Sequence, residues 1–183
     1  LAETIKHACL ASGELFDYLD THMDEILSID KTACEYIANE NCRIKYEVVM
    51  KDERESGLRE ILNLGHTVGR AVETVSGYRL LHGEAVAIGL VAEVKLAYKL
   101  GYVTDIQRDR VIDMLKKACL PVAIPDYIDR EALVKKLYTD KKVKNGQLRF
   151  VIQKGIGEIV EFESGVFATR ISEDIAREII MDM

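Results

Sequence analysis

An apolar run, AVAIGLVA at residues 85–92, constrains this chain more than any other feature. It lies inside LLHGEAVAIGLVAEVKLAYKL, which reads as a helix over 83–100 ended by Gly101. Through the run that helix is apolar around most of its circumference, so it is stable only with other elements covering it on several sides. It has to be the central helix of a multi-helix body. The run is also too short to cross a bilayer, which takes about 20 apolar residues.

Helical periodicity accounts for most of what surrounds it. Residues 2–12 form one helix, broken at Ser12-Gly13. Residues 14–27 form a second, with Leu15, Phe16, Leu19, Met23, Ile26 and Leu27 on one face. Asp30 caps a long helix over 31–52 that turns Cys34, Ile37, Ala38, Cys42, Ile44, Val48 and Val49 inward. The charged break DERESG precedes a helix over 58–76, for which Gly77 is the C-cap. Thr104 or Asp105 caps a helix running to 118, Pro121 and Pro125 hold an extended linker, and 130–138 and 172–181 are short helices. Only QLRFVIQKGIGEIVEFE alternates with the period of a strand, across a Gly-Ile-Gly turn. The expected fold is mainly α with one small β-hairpin near residues 147–162.

Composition narrows the function. The 183 residues carry a net charge of −6, which argues against a nucleic-acid footprint. No basic segment followed by an apolar one opens the chain, so no signal peptide or membrane anchor is expected, and the location implied is cytoplasmic. Cys9, Cys34, Cys42 and Cys119 form no C-x-x-C pair and read as buried free thiols of a reducing compartment. The first residue is Leu and LAETIKHACL is already helical, as expected for a piece of a longer chain.

The helix over 58–76 is two-faced. Ile61, Leu64, Val68, Val72 and Val75 cluster on one side at 100° per residue; Arg59, Asn63, His66, Arg70 and Glu73 fall on the other. A water-facing stripe would normally use good helix formers. Here Asn63, Gly65, His66, Thr67 and Gly69 are crowded together, and each Gly costs roughly 1 kcal/mol against Ala. Such a helix is expected to let another backbone, or a ligand, approach closely.

His82 stands at the start of the apolar helix, in a neighbourhood expected to be buried. The partial positive charge of a helix N-terminus disfavours imidazolium there, and the neutral ring is the metal-binding form. Glu84 in the first turn suits a cap. His66 and His82, on adjacent helices joined by a short loop, can converge on a metal with a carboxylate as third ligand. Glu3 and Glu73 are both candidates, and such a three-ligand site leaves a position open for substrate.

Four stretches together resemble one family: AETIK (2–6), RIKYEVVMKDERESGLREILNLGHTVG (43–69), LLHGEAVAIGLV (80–91) and DKKVKNGQLRFVIQKGIG (140–157). They are similar to the C-terminal, mainly helical half of 3-dehydroquinate synthase. NLGHT followed by HGEAVAIG at this spacing is the most specific part. The resemblance implies that residues 1–183 form a single metal- and substrate-binding domain of the dehydroquinate synthase-like fold. The N-terminal NAD-binding domain would lie outside this sequence, leaving the fragment alone inactive. It implies a divalent metal, Zn2+ or Co2+, held by Glu3, His66 and His82, and NAD+ as a cofactor regenerated in each turnover. Lys6, Lys45, Arg59, Asn63 and Lys141 or Lys142 would surround the substrate. That substrate would be a phosphorylated sugar acid, 3-deoxy-D-arabino-heptulosonate 7-phosphate, converted to 3-dehydroquinate in the shikimate pathway. The full-length protein would be a homodimer. Related sugar phosphate cyclases, such as 2-deoxy-scyllo-inosose and aminodehydroquinate synthases, are the alternative, and GLREILNLGHT with Arg59 favours the carboxylate-bearing substrate. Two further readings stand beside these. The glycerol-dehydrogenase-like group is disfavoured by HGEAVAIG with Glu3, and a non-catalytic helical module would hold no metal.

One position departs from the family. Where members commonly read GHTxGHAxE, this chain has GHTVGRAVE, with Arg70 in place of the second histidine. Arginine cannot serve as a general base, but it can bind a departing phosphate or an oxyanion. In the full-length enzyme, Arg70→His is expected to leave metal content unchanged. A fall in turnover would support anion binding by Arg70, whereas a large gain would mark Arg70 as a defect.

Overall fold

The computed structural model describes residues 1–54, 57–139 and 148–183. Its helices are α1 (Ala2–Ala11), α2 (Gly13–Thr21), α3 (Met23–Leu27), α4 (Lys31–Lys51), α5 (His66–Val75), α6 (His82–Lys99), α7 (Asp105–Lys117), α8 (Arg130–Thr139) and α9 (Glu173–Met181). A 3-10 helix spans Leu58–Asn63. The strands are β1 (Arg149–Val151), β2 (Gln153–Gly155), β3 (Glu158–Ile159) and β4 (Ala168–Arg170). Among the described residues, no helix is long and apolar enough to cross a membrane.

Helix α6 is central, as its sequence requires. Ala85 to Val94 are buried without interruption, and α1, α5, α7, α9 and β2 all pack against it. The most intimate contact is with α5, where glycine removes the side chains that would hold the helices apart. A Cβ on Gly89 would stand 1.9 Å from the carbonyl oxygen of Gly65. One on Gly69 would meet the Ala85 carbonyl oxygen at 3.0 Å. The weak helix formers in this stretch therefore mark a backbone-to-backbone approach.

The same contact breaks the helix expected over 58–76. Its first part is the 3-10 helix, its second is α5, and Gly65 between them takes the left-handed conformation at φ 76°. Buried Asp52 anchors the first part by accepting the N–H groups of Gly57 and Arg59, each at 2.9 Å. The apolar positions survive the break, since Ile61, Leu64, Val68 and Val72 are all buried. A period measured along one continuous helix missed the turn because both parts bury the same side.

Other boundaries follow their capping residues. Ser12 ends α1 and caps α2 through the Leu15 N–H; Asp30 accepts from Ala33 N–H at the start of α4; Thr104 and Gln107 exchange hydrogen bonds at the start of α7. The expected 14–27 helix divides at His22 into α2 and α3, and Leu27 is exposed. Helix α4 buries only Ala33, Ile44 and Val48, so the broad inward face expected for it is a narrow stripe with Ala38 and Cys42 exposed. All four cysteines are free, but only Cys9 is fully buried, and burial pushes its thiol up to about 12.

The expected hairpin near 147–162 is present in shorter form. β2 and β3 pair antiparallel around Ile156-Gly157, and Gly157 N–H reaches the Cys9 carbonyl at the end of α1. β1 does not join it. It pairs antiparallel with β4, with Phe150 opposite Thr169, a partner too short and too late in the chain for periodicity to reveal. Gln147 lies outside the described residues.

The Gly89 contact makes a direct prediction. Gly89→Ala forces a methyl group into the Gly65 carbonyl and is expected to cost at least about 1–3 kcal/mol, the usual range for overpacking. Urea unfolding measures it, and an unchanged midpoint would contradict the close approach.

Candidate metal centre and substrate cleft

Three helices each bring one ligand-type side chain to a common point. Glu3 lies in the first turn of α1, His66 is the first residue of α5, and His82 is the first residue of α6. Both histidines therefore stand at helix N-termini. The break at Gly65 is what gives His66 this position. The Oε1 atom of Glu3 is 3.3 Å from Nε2 of His66 and 3.3 Å from Nε2 of His82. One ligand-type atom from each side chain lies within 4.8 Å of the others.

The outer ring nitrogens fix which atoms face inward. His66 Nδ1 is 3.1 Å from the Leu64 carbonyl. A carbonyl only accepts, so in the neutral ring Nδ1 carries the proton and Nε2 presents its lone pair. His82 Nδ1 lies 3.5 Å from Oε2 of Glu73, a long contact of the same sense. The two carboxylates thus divide their roles: Glu3 faces both Nε2 atoms, and Glu73 stands behind His82. The side chain of His82 is 51% exposed, against the buried setting expected for it, because the start of α6 projects with Leu81 into solvent. Glu84 does act at that terminus, accepting the Leu81 N–H at 2.8 Å.

Glu3 is held as a carboxylate. Burial pushes its pKa up, but contact with the His66 ring and the hydrogen bond and charge of Lys6 outweigh this and hold it below the usual carboxylate range. Lys6 forms a 2.7 Å ion pair with Glu3 Oε2 and donates to the Leu62 carbonyl at 2.9 Å. It is only 4% exposed, and burial lowers its pKa, with Glu3 opposing the shift. The Glu3 carboxylate and the Leu62 carbonyl therefore pin the Lys6 ammonium group in place. Donor atoms about 2.0–2.1 Å from a tetrahedral zinc ion lie about 3.4 Å apart. The two 3.3 Å separations fit such an ion, and a donor set of two imidazoles and one carboxylate suits it.

Beside the cluster is a cleft of about 980 Å³. Glu3, Lys6, Lys45, Arg59, Asn63, His66 and Arg70 all line it, so the structure gathers every described residue expected around the substrate. Arg70 follows His66 by one turn and is exposed. Lys141 and Lys142 lie outside the described residues. The walls also include Lys136 and Arg149, so the cleft is strongly cationic in a chain of net negative charge. Arg149 is steered by Glu60 at 3.2 Å and by the Ala168 carbonyl at 2.6 Å.

Sequence reasoning missed Lys136, Arg149 and the pair of buried His7 with half-buried Asn41, which also line the cleft. A signal for His7 existed, because it lies one turn beyond Glu3 on α1. Burial pushes its pKa down, the nearby Lys6 charge adds to this, and the Asn41 hydrogen bond opposes it. Arg149 is read only once β1 is known to run along the cleft wall.

The 3-dehydroquinate synthase C-terminal family pattern matches residues 1–143. The chain belongs to the 3-dehydroquinate synthase C-terminal family. It is 38% identical over its full length to a 3-dehydroquinate synthase of Ruminiclostridium cellulolyticum, covering 49% of that protein. It is 44% identical over 165 residues to the Thermodesulfovibrio yellowstonii 3-dehydroquinate synthase, covering 89% of this chain and 46% of that one. The chain thus spans about half the length of the curated relatives it matches. Among solved structures, the 2-epi-5-epi-valiolone synthase of Streptomyces hygroscopicus, with NAD+ and Zn2+ bound, superposes with a TM-score of 0.85 at 24% identity. That match covers 99% of this chain and 49% of that one. A 2-deoxy-scyllo-inosose synthase complexed with carbaglucose-6-phosphate, NAD+ and Co2+ gives a TM-score of 0.78 at 18% identity, covering 99% of this chain and 50% of that one. At these identities the two structures establish that the family domain here has the cyclase fold.

Glu93, one helical layer behind the cleft, sets a pH test. It is fully buried on α6, and burial pushes its carboxyl up to about 8, against the opposing hydrogen bonds from the Gly65 and Thr67 backbone. A carboxyl raised on folding contributes its full stability below the unfolded pKa of about 4.5 and loses it as pH rises through about 8. Stability is therefore expected to decline between about pH 5 and 8, and Glu93→Gln is expected to flatten that decline. Chemical unfolding across this range, with EDTA present, compares the two slopes; equal slopes would contradict the raised carboxyl.

Proposed function

We propose that this chain supplies the metal- and substrate-binding half of a 3-dehydroquinate synthase. The enzyme converts 3-deoxy-D-arabino-heptulosonate 7-phosphate to 3-dehydroquinate with loss of phosphate. The observation that carries this reading is the Glu3, His66 and His82 cluster opening beside a cleft lined by lysine and arginine. Family membership and relatives of 38–44% identity named 3-dehydroquinate synthase support the same substrate. Related cyclase reactions are the second reading, favoured by the names of the two superposed structures at 18–24% identity. The higher identity of the synthases, and Arg59 in the cleft to receive a carboxylate, place the first reading ahead.

The chemistry divides between bound groups and this chain's residues. A divalent metal, Zn2+ or Co2+, supplies Lewis-acid polarisation of substrate oxygens, and NAD+ supplies a transient oxidation that is reversed within the turnover. Glu3, His66 and His82 would hold the metal. Lys6, fixed between Glu3 and the Leu62 carbonyl, keeps a positive charge at the floor of the cleft. Arg59 offers the paired N–H groups that match a carboxylate, while Lys45, Arg70 and Arg149 draw the phosphate end. Asn63 adds donor and acceptor positions for hydroxyl groups. Gripping both anionic ends fixes the middle of the substrate against the metal, so orientation lowers the barrier as much as charge does. The dinucleotide-binding residues are assigned to the other half of the full-length protein, and the 183 residues alone are expected to bind metal without turnover. A homodimeric state and a cytoplasmic location belong to the same reading, on the strength of family membership.

Two measurements test this. Calorimetric titration should show one Zn2+ per chain, and His66→Ala should weaken it by at least 100-fold; equal binding by the variant would sink the metal assignment. Addition of a separately produced N-terminal half should yield phosphate from the sugar-acid phosphate. Release from a sugar phosphate lacking the carboxylate, and not from the sugar acid, would favour the second reading.

A further inference from the structure

Among the described residues Glu93 is the most deeply buried carboxylate, and unlike buried Asp52 it lies inside the apolar helix α6. It sits in the apolar middle of α6, where an ionisable side chain is costly and needs a reason. Its Oε2 accepts the Gly65 N–H at 2.6 Å, and the nearby Thr67 backbone favours its charged form. Its Oε1 is buried with no hydrogen-bond partner among the described residues.

These contacts amount to a helix cap supplied from a neighbouring helix. Gly65 is the N-cap of α5 and has no side chain to satisfy the first turn. Glycine is required there because the residue is left-handed and its carbonyl lies against Gly89. The close approach that removes the local cap also brings Glu93 within reach of the exposed N–H groups. His66 directly follows the held Gly65, and its Nδ1 partner, the Leu64 carbonyl, immediately precedes it.

We propose that Glu93 is a positioning residue for the metal ligand His66: it caps α5 from α6 and so fixes the turn that aims Nε2 at Glu3 and His82. The inference rests on the metal reading above. Outer groups that orient a metal-bound histidine typically change metal affinity by 10–100-fold when lost.

The test is Zn2+ affinity in the intact protein, measured by competition with a chromophoric chelator. Glu93→Met keeps length and shape while removing both acceptors, and it is expected to weaken Zn2+ binding by about 10–100-fold. Glu93→Gln keeps one acceptor oxygen and is expected to restore affinity to within a few-fold of the parent. Leu115→Ala, a buried substitution on α7, serves as a matched loss of stability and should leave affinity unchanged. In the parent protein, the Gly65 and Thr67 amides should exchange hydrogen as slowly as the core of α6. That measurement decides the matter if Glu93→Met does not fold, and fast exchange of both amides overturns the proposal. Affinity of Glu93→Met within two-fold of the parent also overturns it, as does an equal loss in Leu115→Ala. A parent protein that binds no Zn2+ overturns the metal reading itself and this inference with it, whereas parent binding with an indifferent Glu93 overturns this inference alone.

Discussion

The contact between α5 and α6 is the constraint on which the rest of the structure depends. Gly89 admits the Gly65 carbonyl, Gly69 lies against Ala85 and Val86, and no larger residue fits at Gly89 or Gly69 without displacing backbone. The approach has two consequences. It buries α6 on the side that its apolar sequence demands, and it brings the starts of two helices close together, so that two histidines at those starts face one carboxylate. Packing and chemistry are set by the same few atoms. In a fold of this size such a cluster can be assembled from loops, but here each ligand-type side chain rides on a helix whose position is fixed by the core.

Charge is arranged around that framework in layers. The overall chain is acidic, yet the cleft is lined mainly by lysine and arginine. Glu3 is the exception that makes the site workable. One of its oxygens faces the histidines and the other neutralises Lys6, so a buried cation and a ligand carboxylate satisfy each other. Glu60 plays a milder version of this part for Arg149 at the wall. Counter-charges hold the cations in fixed geometry, so an anionic group entering the cleft would meet groups that are already oriented.

Much of this was legible in the sequence, for reasons that can be named. The central place of α6 followed from a helix with no polar face. The break at Ser12-Gly13 and the caps at Asp30 and Thr104 stand where the sequence put them. The crowding of Gly65 and Gly69 announced a close approach. Periodicity failed at Gly65 itself, because a left-handed turn between two helices that bury the same side leaves the apolar spacing intact. It also failed for α4, where apolar residues outnumber buried ones, and for β4, which is three residues long and pairs across the chain. At the site, spacing alone left Glu3 and Glu73 equal. The family resemblance chose Glu3, and the packing of α1 against α6 sets Glu3 against the Nε2 atoms with Glu73 behind His82. Arg149 and Lys136 were invisible for the same reason, since a lone basic residue in a short element looks like surface charge until its neighbours are known.

The central claim is that three helices converge to hold one metal ion at the edge of a cationic cleft. X-ray diffraction from zinc-soaked crystals, with data on both sides of the zinc absorption edge, tests it most directly. The account predicts one strong anomalous peak about 2.0–2.1 Å from a Glu3 carboxylate oxygen and from Nε2 of both His66 and His82. A fully occupied zinc ion elsewhere, or no peak between these three side chains at saturating zinc, would contradict it.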